Sequence, residues 1–593
     1  LLASSAASDV YKRQEHKPMN DQKIENLLNA SLSVTSDERA KSVNLETGYN
    51  PSTRIWEIIV MYSSTKEAFA AVLAGYDNLS VIWLLGRFAI INTIQENIEL
   101  LAGEPLVEFI EKPKRLYFED AAGNTASCIS AIQADNSINL RGKGVITGII
   151  DTGIDYTAPA FRNSDGSTRI LSIWDQTAVS SVGRVPDYGF GTEYSEDDIN
   201  NSLNLSGTAG SSDGTFSVTD VSGHGTAVAR IAAGNDGVAP ESSIIFVKMG
   251  LAREDSFPRT TQLMCAIDYI IRKAVSYLMP VAINISFGSN YGDHTGTSLI
   301  ETYINSVSYA WKNSICIGTG NEADAATHTS GILKTLPENV DLAISAYERN
   351  LNMQIWKQYW DRISISILSP AGRLFDLPDV TDSVIRIHTD NTTLLIYNGL
   401  PSPFAIMQEI YFDFIPDSEY IGSGIWRFIL TPQKIISGEY NIWLPASAAL
   451  NNATGFLAPN SEKTFTIPST ASRAISVGAY NSSNNSYAAF SGRGYSLTGA
   501  GFALAKPDIC APGVSINAGG RTFTGTSFAT PFVTGSAAIM MEWGIVRGND
   551  PFLYGEKLKA YLINGAKPLP GYKEVPNAAT GWGALCTRSS LPL

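Results

Sequence analysis

The sequence predicts an α/β fold: a mostly parallel sheet with helices on both faces, preceded by an N-terminal α+β domain and interrupted by an inserted β-sandwich. Three observations lead there. The run at 144–150 is nearly continuously apolar, the pattern of a strand covered on both faces, and 243–249, 281–287 and 315–318 read as further buried strands. Helical patterning at 262–278 separates two of them, as a crossover between parallel strands requires. Between 340 and 468 short alternating runs replace these, parted by Pro, Gly, Asn and Asp at antiparallel-sandwich spacing.

The totals bound the rest. At 593 residues the chain exceeds one small core, so about two to four domains are expected. A 44% hydrophobic and 17% charged composition describes an ordinary globular protein. The net charge of −14, with no basic block, argues against a nucleic-acid partner. No apolar run approaches the length that spans a bilayer. Cys128, Cys265, Cys316, Cys510 and Cys586 form no C-x-x-C pair, so buried free thiols are expected, with neither disulfide framework nor zinc site. No metal or other cofactor is indicated, and assembly is not legible.

In residues 1–18 the apolar part is short, and Lys12, Arg13 and Lys17 follow it, which is not a secretory signal. Met19 reads as a natural start, with 1–18 an extraneous or disordered leader. Residues 19–111 follow as a separate domain: strand 55–61, helix 65–73, strands 79–85 and 88–91 around Gly86, helix 94–101 and strand 106–110. That order is the split βαβ arrangement. A polar connector occupies 112–124.

The large domain is expected in two parts, 112–339 and 469–593, around the insertion at 340–468. Its first strand runs into Asp151-Thr152-Gly153, a carboxylate at the strand end where open α/β sheets place functional groups, or else a turn cap. Residues 187–220 read as a Gly/Ser/Asp/Asn-rich surface loop. Its Glu193, Glu196, Asp197 and Asp198 lack calcium-loop spacing and read as a solvated acidic stretch. His224 stands between Gly223 and Gly225 at the start of an alanine-rich helix ending at Gly234, framed as a base would be. His294 is expected exposed in the loop after Gly288, where it could meet substrate. Asn321, after strand 315–318, offers an amide donor suited to an oxyanion hole, or serves as a turn residue. Within the insertion, strands are expected at 362–368, 383–388, 393–397 and 424–430, and the parallel style returns at 474–478 and 507–509.

The chain is organised around Gly525-Thr526-Ser527-Phe528-Ala529-Thr530-Pro531, a tight turn entering a small-residue helix. Proline is tolerated about one turn in. A lone serine there reads most simply as an N-cap; as a nucleophile it needs a base, an orienting carboxylate and an oxyanion site. Asp151, His224 and Ser527 supply the first three in the order Asp, His, Ser, with Asn321 between the last two.

That order, with Asp151-Thr152-Gly153, Gly223-His224-Gly225-Thr226, Gly320-Asn321 and Gly525-Thr526-Ser527-x-Ala529-Thr530-Pro531, resembles the subtilisin-like serine proteases. The resemblance implies a subtilisin-like α/β fold and a serine endopeptidase acting on proteins or peptides through an acyl-enzyme. In it Ser527 is the nucleophile, His224 the base, Asp151 its orienting carboxylate and Asn321 the oxyanion donor. Ser286-Phe287-Gly288 matches the segment that pairs with substrate backbone, and Gly318, Thr319 and Gly320 the facing wall of the specificity pocket. The N-terminal domain looks like a propeptide, an intramolecular chaperone and inhibitor, with self-cleavage expected between Glu111 and Cys128.

The insertion and the ending from Tyr572 to Cys586, with Gly581-Trp582-Gly583-Ala584-Leu585, resemble more particularly the Csp germination proteases, which carry a jelly-roll insertion. Active members of that group cleave the precursor of a spore-cortex-degrading enzyme; others are pseudoproteases that act by binding. The resemblance implies a location in the bacterial cytoplasm or spore. Two residues depart from the wider pattern: Ala227 replaces a frequent His, and Arg230 a usual Gly. Arg230 must reach a surface or a carboxylate, or strain the helix beside His224. A regulatory or binding pseudoprotease is the alternative. Carbohydrate binding by the β domain would rest on fold analogy alone.

Overall fold

The computed structural model describes residues 23–118, 127–129, 133, 139–178, 185, 187–205, 218–250, 257–389, 391–494 and 505–592. At its centre lies a nine-stranded sheet. Six strands run parallel in the order Ile475–Asn481, Asn313–Gly318, Val281–Ile285, Ile146–Asp151, Ser243–Lys248 and Ile170–Asp175. Ile509–Pro512 adds parallel to Ile475–Asn481, while Ser486–Tyr487 and Thr192–Ser195 join antiparallel at the edges.

Successive side chains of a strand point to opposite faces, and here both faces are dry. Ile149, Ile244 and Phe246 pack with Val228, Ile231, Val533 and Ile539, from helices His224–Ala233 and Thr526–Met541. Ile146, Ile150, Ile245 and Val247 pack with Ile267, Ile270, Tyr303 and Ile304, from helices Thr260–Ser276 and Leu299–Val307. This two-sided burial is why the strands read as predominantly apolar runs rather than as alternating ones.

The N-terminal domain is a five-stranded antiparallel sheet also buried on both faces. Trp56, Ile58 and Val60 face its own helices through Leu28, Phe69, Ile98 and Leu101. Ile59, Met61, Ile90 and Phe109 join the core of the large domain instead. Polar contacts fix this seam. Glu111 Oε2 accepts from Leu299 N at 3.3 Å, the first residue of its helix, and Glu57 Oε2 accepts from Thr261 Oγ1 at 2.8 Å. Carboxylates at helix N-termini satisfy donors that otherwise lack partners.

The insertion is a sandwich of antiparallel sheets, six-stranded and five-stranded, enclosing Met353, Ile367, Ile396, Phe412, Trp426 and Phe428. Its first strand is His328–Ile332, upstream of residue 340, and its last is Gly455–Phe456. Strands Thr392–Asn398 and Met407–Pro416 are buried along their whole length. Leu27, Ala30 and Leu45 of the N-terminal domain cover their outer face at Leu395, Tyr397 and Tyr411. The N-terminal domain is thus held by both other units.

Several expectations are corrected. Residues 187–220 are not all loop: Thr192–Ser195 is an edge strand, and Glu196–Leu205 is a helix. Ser195 Oγ accepts from Asp198 N at 3.2 Å while Asp198 Oδ2 accepts from Ser195 N at 2.8 Å, a capping box, and acidic residues suit a first turn. Cys128 and Cys586 form a disulfide, with only Cys265, Cys316 and Cys510 free and buried. Helices Asn26–Ser33, Ser36–Ala40 and Val43–Glu46 precede the first expected strand. Strand 281–287 breaks at Ser286: Val281–Ile285 stays in the sheet and Phe287–Gly288 turns to another partner.

Candidate active site

Asp151 ends the strand Ile146–Asp151, and both it and His224 are buried. Asp151 Oδ1 lies 2.6 Å from His224 Nδ1 and also accepts from Thr152 N at 2.8 Å. A carboxylate so placed holds the imidazole with its Nδ1 protonated, leaving Nε2 as the basic nitrogen. Gly223 caps the His224 helix at φ 77°, a left-handed conformation glycine adopts without strain. At Gly225 any Cβ would come within 2.4 Å of Gly153 O and 2.9 Å of the Asp151 side chain, so the two segments meet only with glycine there.

Ser527 is the second residue of helix Thr526–Met541, whose residues are all buried. Its Oγ donates to Ser286 O at 3.0 Å, and Ser286 Oγ donates to Ser527 O at 3.1 Å. The reciprocal pair joins the helix start to the end of strand Val281–Ile285. The next residue, Phe528, sets its ring edge-on against His224, with centroids 5.0 Å apart, bringing the imidazole to this helix start. Asn321 Oδ1 accepts from Thr526 N at 3.1 Å, so the amide oxygen is engaged at the residue before Ser527 and the amide nitrogen is the group of Asn321 that can donate. Gly320 N donates to Thr526 Oγ1 at 3.1 Å, and a Cβ at Gly318 would stand 3.1 Å from both Thr526 Oγ1 and Thr530 Oγ1. Thr319, between them, is buried, so Gly318, Thr319 and Gly320 line up against the Ser527 helix.

The segment Phe287–Gly288 pairs antiparallel with Tyr117–Phe118, Phe287 opposite Phe118 and Gly288 opposite Tyr117, so the stretch after residue 111, expected as a polar connector, is here a docked tail with Lys112, Lys114 and Leu116 buried. On the other side of the same tail, Leu116 N donates to Pro258 O at 2.7 Å and Arg115 bridges Arg259. Leu116 is fully buried. The tail therefore fills a strand-shaped slot whose one wall leads to Ser286 and Ser527.

Most of the expected site residues converge, and one does not. His294 is 1% exposed rather than on the surface; its Nδ1 lies 2.7 Å from Phe465 O and its ring stacks on Trp443. Burial, with His328 adding, lowers its pKa to about 3, so it is a neutral packing residue. Arg230 strains nothing: its guanidinium makes bonds of 2.8–3.1 Å to the exposed Asp236 carboxylate. Sequence reasoning missed Asp220. Its Oδ1 accepts from Thr152 Oγ1 at 2.9 Å and Gly223 N at 3.0 Å, its Oδ2 from Thr226 N at 2.8 Å. The Pro258–Arg259 wall, in a polar stretch, was also missed. Among the described residues no group of three or more His, Cys, Asp or Glu could hold a metal ion.

Comparison with known proteins agrees with this geometry. Residues 22–114 match the Csp protease B prodomain, and residues 142–387 and 441–583 match the subtilase family. Among solved structures the chain is similar to the Clostridium perfringens CspB protease, with 35% identity, a TM-score of 0.70, and coverage of 78% of this chain and 95% of that one. It is also similar to the serine protease AprX of Bacillus subtilis, 30% identical over 165 residues. That match takes in 24% of this chain and spans 34% of the length of AprX.

Proposed function

The chain belongs to the subtilase family and carries a Csp protease B-type prodomain, and from that premise we propose that it is a serine endopeptidase that processes its own N-terminal domain. Ser527 Oγ attacks the substrate carbonyl carbon while its proton passes to His224 Nε2. Asp151 holds the resulting imidazolium, and the Asn321 amide donates to the oxyanion. Collapse expels the amine, which takes the proton from His224 and leaves an acyl ester on Ser527. Water, deprotonated by His224, then hydrolyses the ester. In the uncleaved resting state the Ser527 hydroxyl donates to Ser286 O, so attack includes its rotation toward His224.

The observation that supports this most is the tail at 115–118, strand-paired as a substrate would be on Phe287–Gly288. The described register runs toward Ser286 as the chain leaves Phe118. Residues 119–126 lie outside the described residues, and one further step of the same register would bring Glu119 to Ser286, so the cut is expected after Glu119. Intact mass of the wild type beside Ser527→Ala tests it. Two fragments, the first ending at Glu119, against one chain in the variant are expected. A single chain in both, with no labelling by a fluorophosphonate probe, would instead make this a binding protein on a protease frame. From the resemblance to the Csp germination proteases we further propose, as substrate, the precursor of a spore-cortex-degrading enzyme, acted on in the bacterial cytoplasm or spore. Incubating purified precursor with wild type and Ser527→Ala checks that assignment; equal stability of the precursor in both would refute it.

A further inference from the structure

One end of the β-sandwich is built from three loops that cross between its sheets, 333–337, 359–361 and 435–438. Each brings large apolar side chains into solvent. Leu336 is 76% exposed and Ile436 65%, and Ile332, Tyr359 and Trp360 are exposed beside them. The loops are held rigidly. The buried Asp361 carboxylate accepts from the backbone N–H groups of Ile436 at 2.6 Å, Ser437 at 3.1 Å and Gly438 at 2.7 Å. Leu333 N donates to Gly438 O at 2.9 Å, and Lys357 Nζ to Asp361 O at 2.7 Å. Apolar groups fixed outward in this way gain nothing from the fold itself, and an exposed cluster of them marks an interaction site.

The charges around this end indicate the occupant. Lys334, Arg362 and Lys434 are exposed there, in a chain whose net charge is −14. The nearby carboxylates are mostly engaged: Asp361 by three N–H groups, Glu338 by Tyr440 Oη at 2.8 Å, Glu439 by Lys463. Asp379 is exposed on the flank, near Lys357. Trp and Tyr settle at lipid headgroup level, aliphatic tips enter the acyl boundary, and Lys and Arg pair with lipid phosphates. We propose that this end of the sandwich docks the protein onto an anionic bilayer surface. The attachment is peripheral: among the described residues no helix is long and apolar enough to cross a membrane.

The test is co-sedimentation of the full chain with vesicles of phosphatidylcholine containing about 30 mol% phosphatidylglycerol, against pure phosphatidylcholine, at low salt. Binding to the anionic vesicles alone is expected. Trp360→Ser with Ile436→Ser should lower it about tenfold or more. Lys334→Ala with Lys434→Ala should lower it about twenty-five-fold, at roughly fivefold per cation. Unchanged circular-dichroism melts and self-processing would show that the variants fold. Wild type left in the supernatant, or equal binding by both double variants, overturns the proposal. So does a dimer in light scattering that the loop variants abolish while vesicles are ignored, which would assign this end to a second copy.

Discussion

Asp220 ties together the two segments that bear Asp151 and His224. Through Thr152 it holds the turn after Asp151, and through Gly223 and Thr226 the start of the His224 helix; Gly225 N, in turn, donates to Thr152 Oγ1 at 3.1 Å. Asp220→Ala should therefore lower kcat by about tenfold to a hundredfold with little change in KM, because small displacements of a base are costly. The pH–rate profile should shift with it, and Asp220→Asn should rescue only part, since its amide keeps one acceptor oxygen; an unshifted profile would reduce Asp220 to a stability role. Asn321→Ala should cost about 2.7–4 kcal/mol of transition-state stabilisation, read as a fall in kcat. An unaltered kcat would remove Asn321 from the oxyanion site. Asp151, His224, Asn321 and Ser527 were legible because each stands in a glycine-framed motif. Asp220 was not, because its partner Thr152 lies 68 residues away. His294 misled for a related reason: its polar loop reads as surface, and Trp443 from the insertion covers it.

Among the elements, the helices at His224 and Thr526 are the most constrained by close approach. Gly225→Ala would force a methyl group into Gly153 O and the Asp151 side chain, so self-processing should fail while the N-terminal domain still folds. Mass spectrometry of the expressed variant reads this directly, and normal processing would disprove the close-packing account. The Cys128–Cys586 bridge ties the region after the N-terminal domain to the C-terminal helix Thr587–Ser590 across 458 residues. Cys128→Ser should destabilise by about 2–5 kcal/mol, and reductant should lower the wild-type melting temperature to the same point. A melt indifferent to reductant would mean the bridge contributes nothing. That pairing could not be read from the sequence, since separation along the chain carries no information about distance in the fold. The helix Glu196–Leu205 could have been: Ser195 and Asp198 form a capping signature inside a stretch otherwise rich in turn residues.

For the whole molecule, the seam between N-terminal domain and sandwich is ionisable. Burial, with Glu25 adding, raises Glu409 to about 8; burial raises Asp413 to about 7, against the Ser42 hydrogen bond and Lys112. Lys114 and Asp293 also face Glu409. Carboxyls raised above their free values near 4 hold the seam fully at low pH and lose that contribution as pH climbs through 7 to 8. Lys112, lowered to about 7 chiefly by burial, acts oppositely but only above about pH 7, where its proton is lost on docking. After self-processing, the cut N-terminal domain should leave faster at about pH 7 than at about pH 5. Size exclusion over that range checks it, and Glu409→Gln with Asp413→Asn should flatten the slope. A pH-independent release rate would mean these carboxyls do not govern the seam.

The sequence by itself determined the α/β class, the split βαβ order of the N-terminal domain, the change to antiparallel strands in the insertion, and the motifs that bear Asp151, His224, Asn321 and Ser527. Those follow from local periodicity and from residues that only certain turns accept. The tertiary structure decided which distant groups meet: Cys128 with Cys586, His294 beneath Trp443, Asp220 with Thr152, and the 115–118 tail between Pro258–Arg259 and Phe287–Gly288. Each of these joins segments far apart in the chain through burial or hydrogen bonds of surfaces that look ordinary alone. Local pattern sets what a segment becomes, and packing sets what it touches.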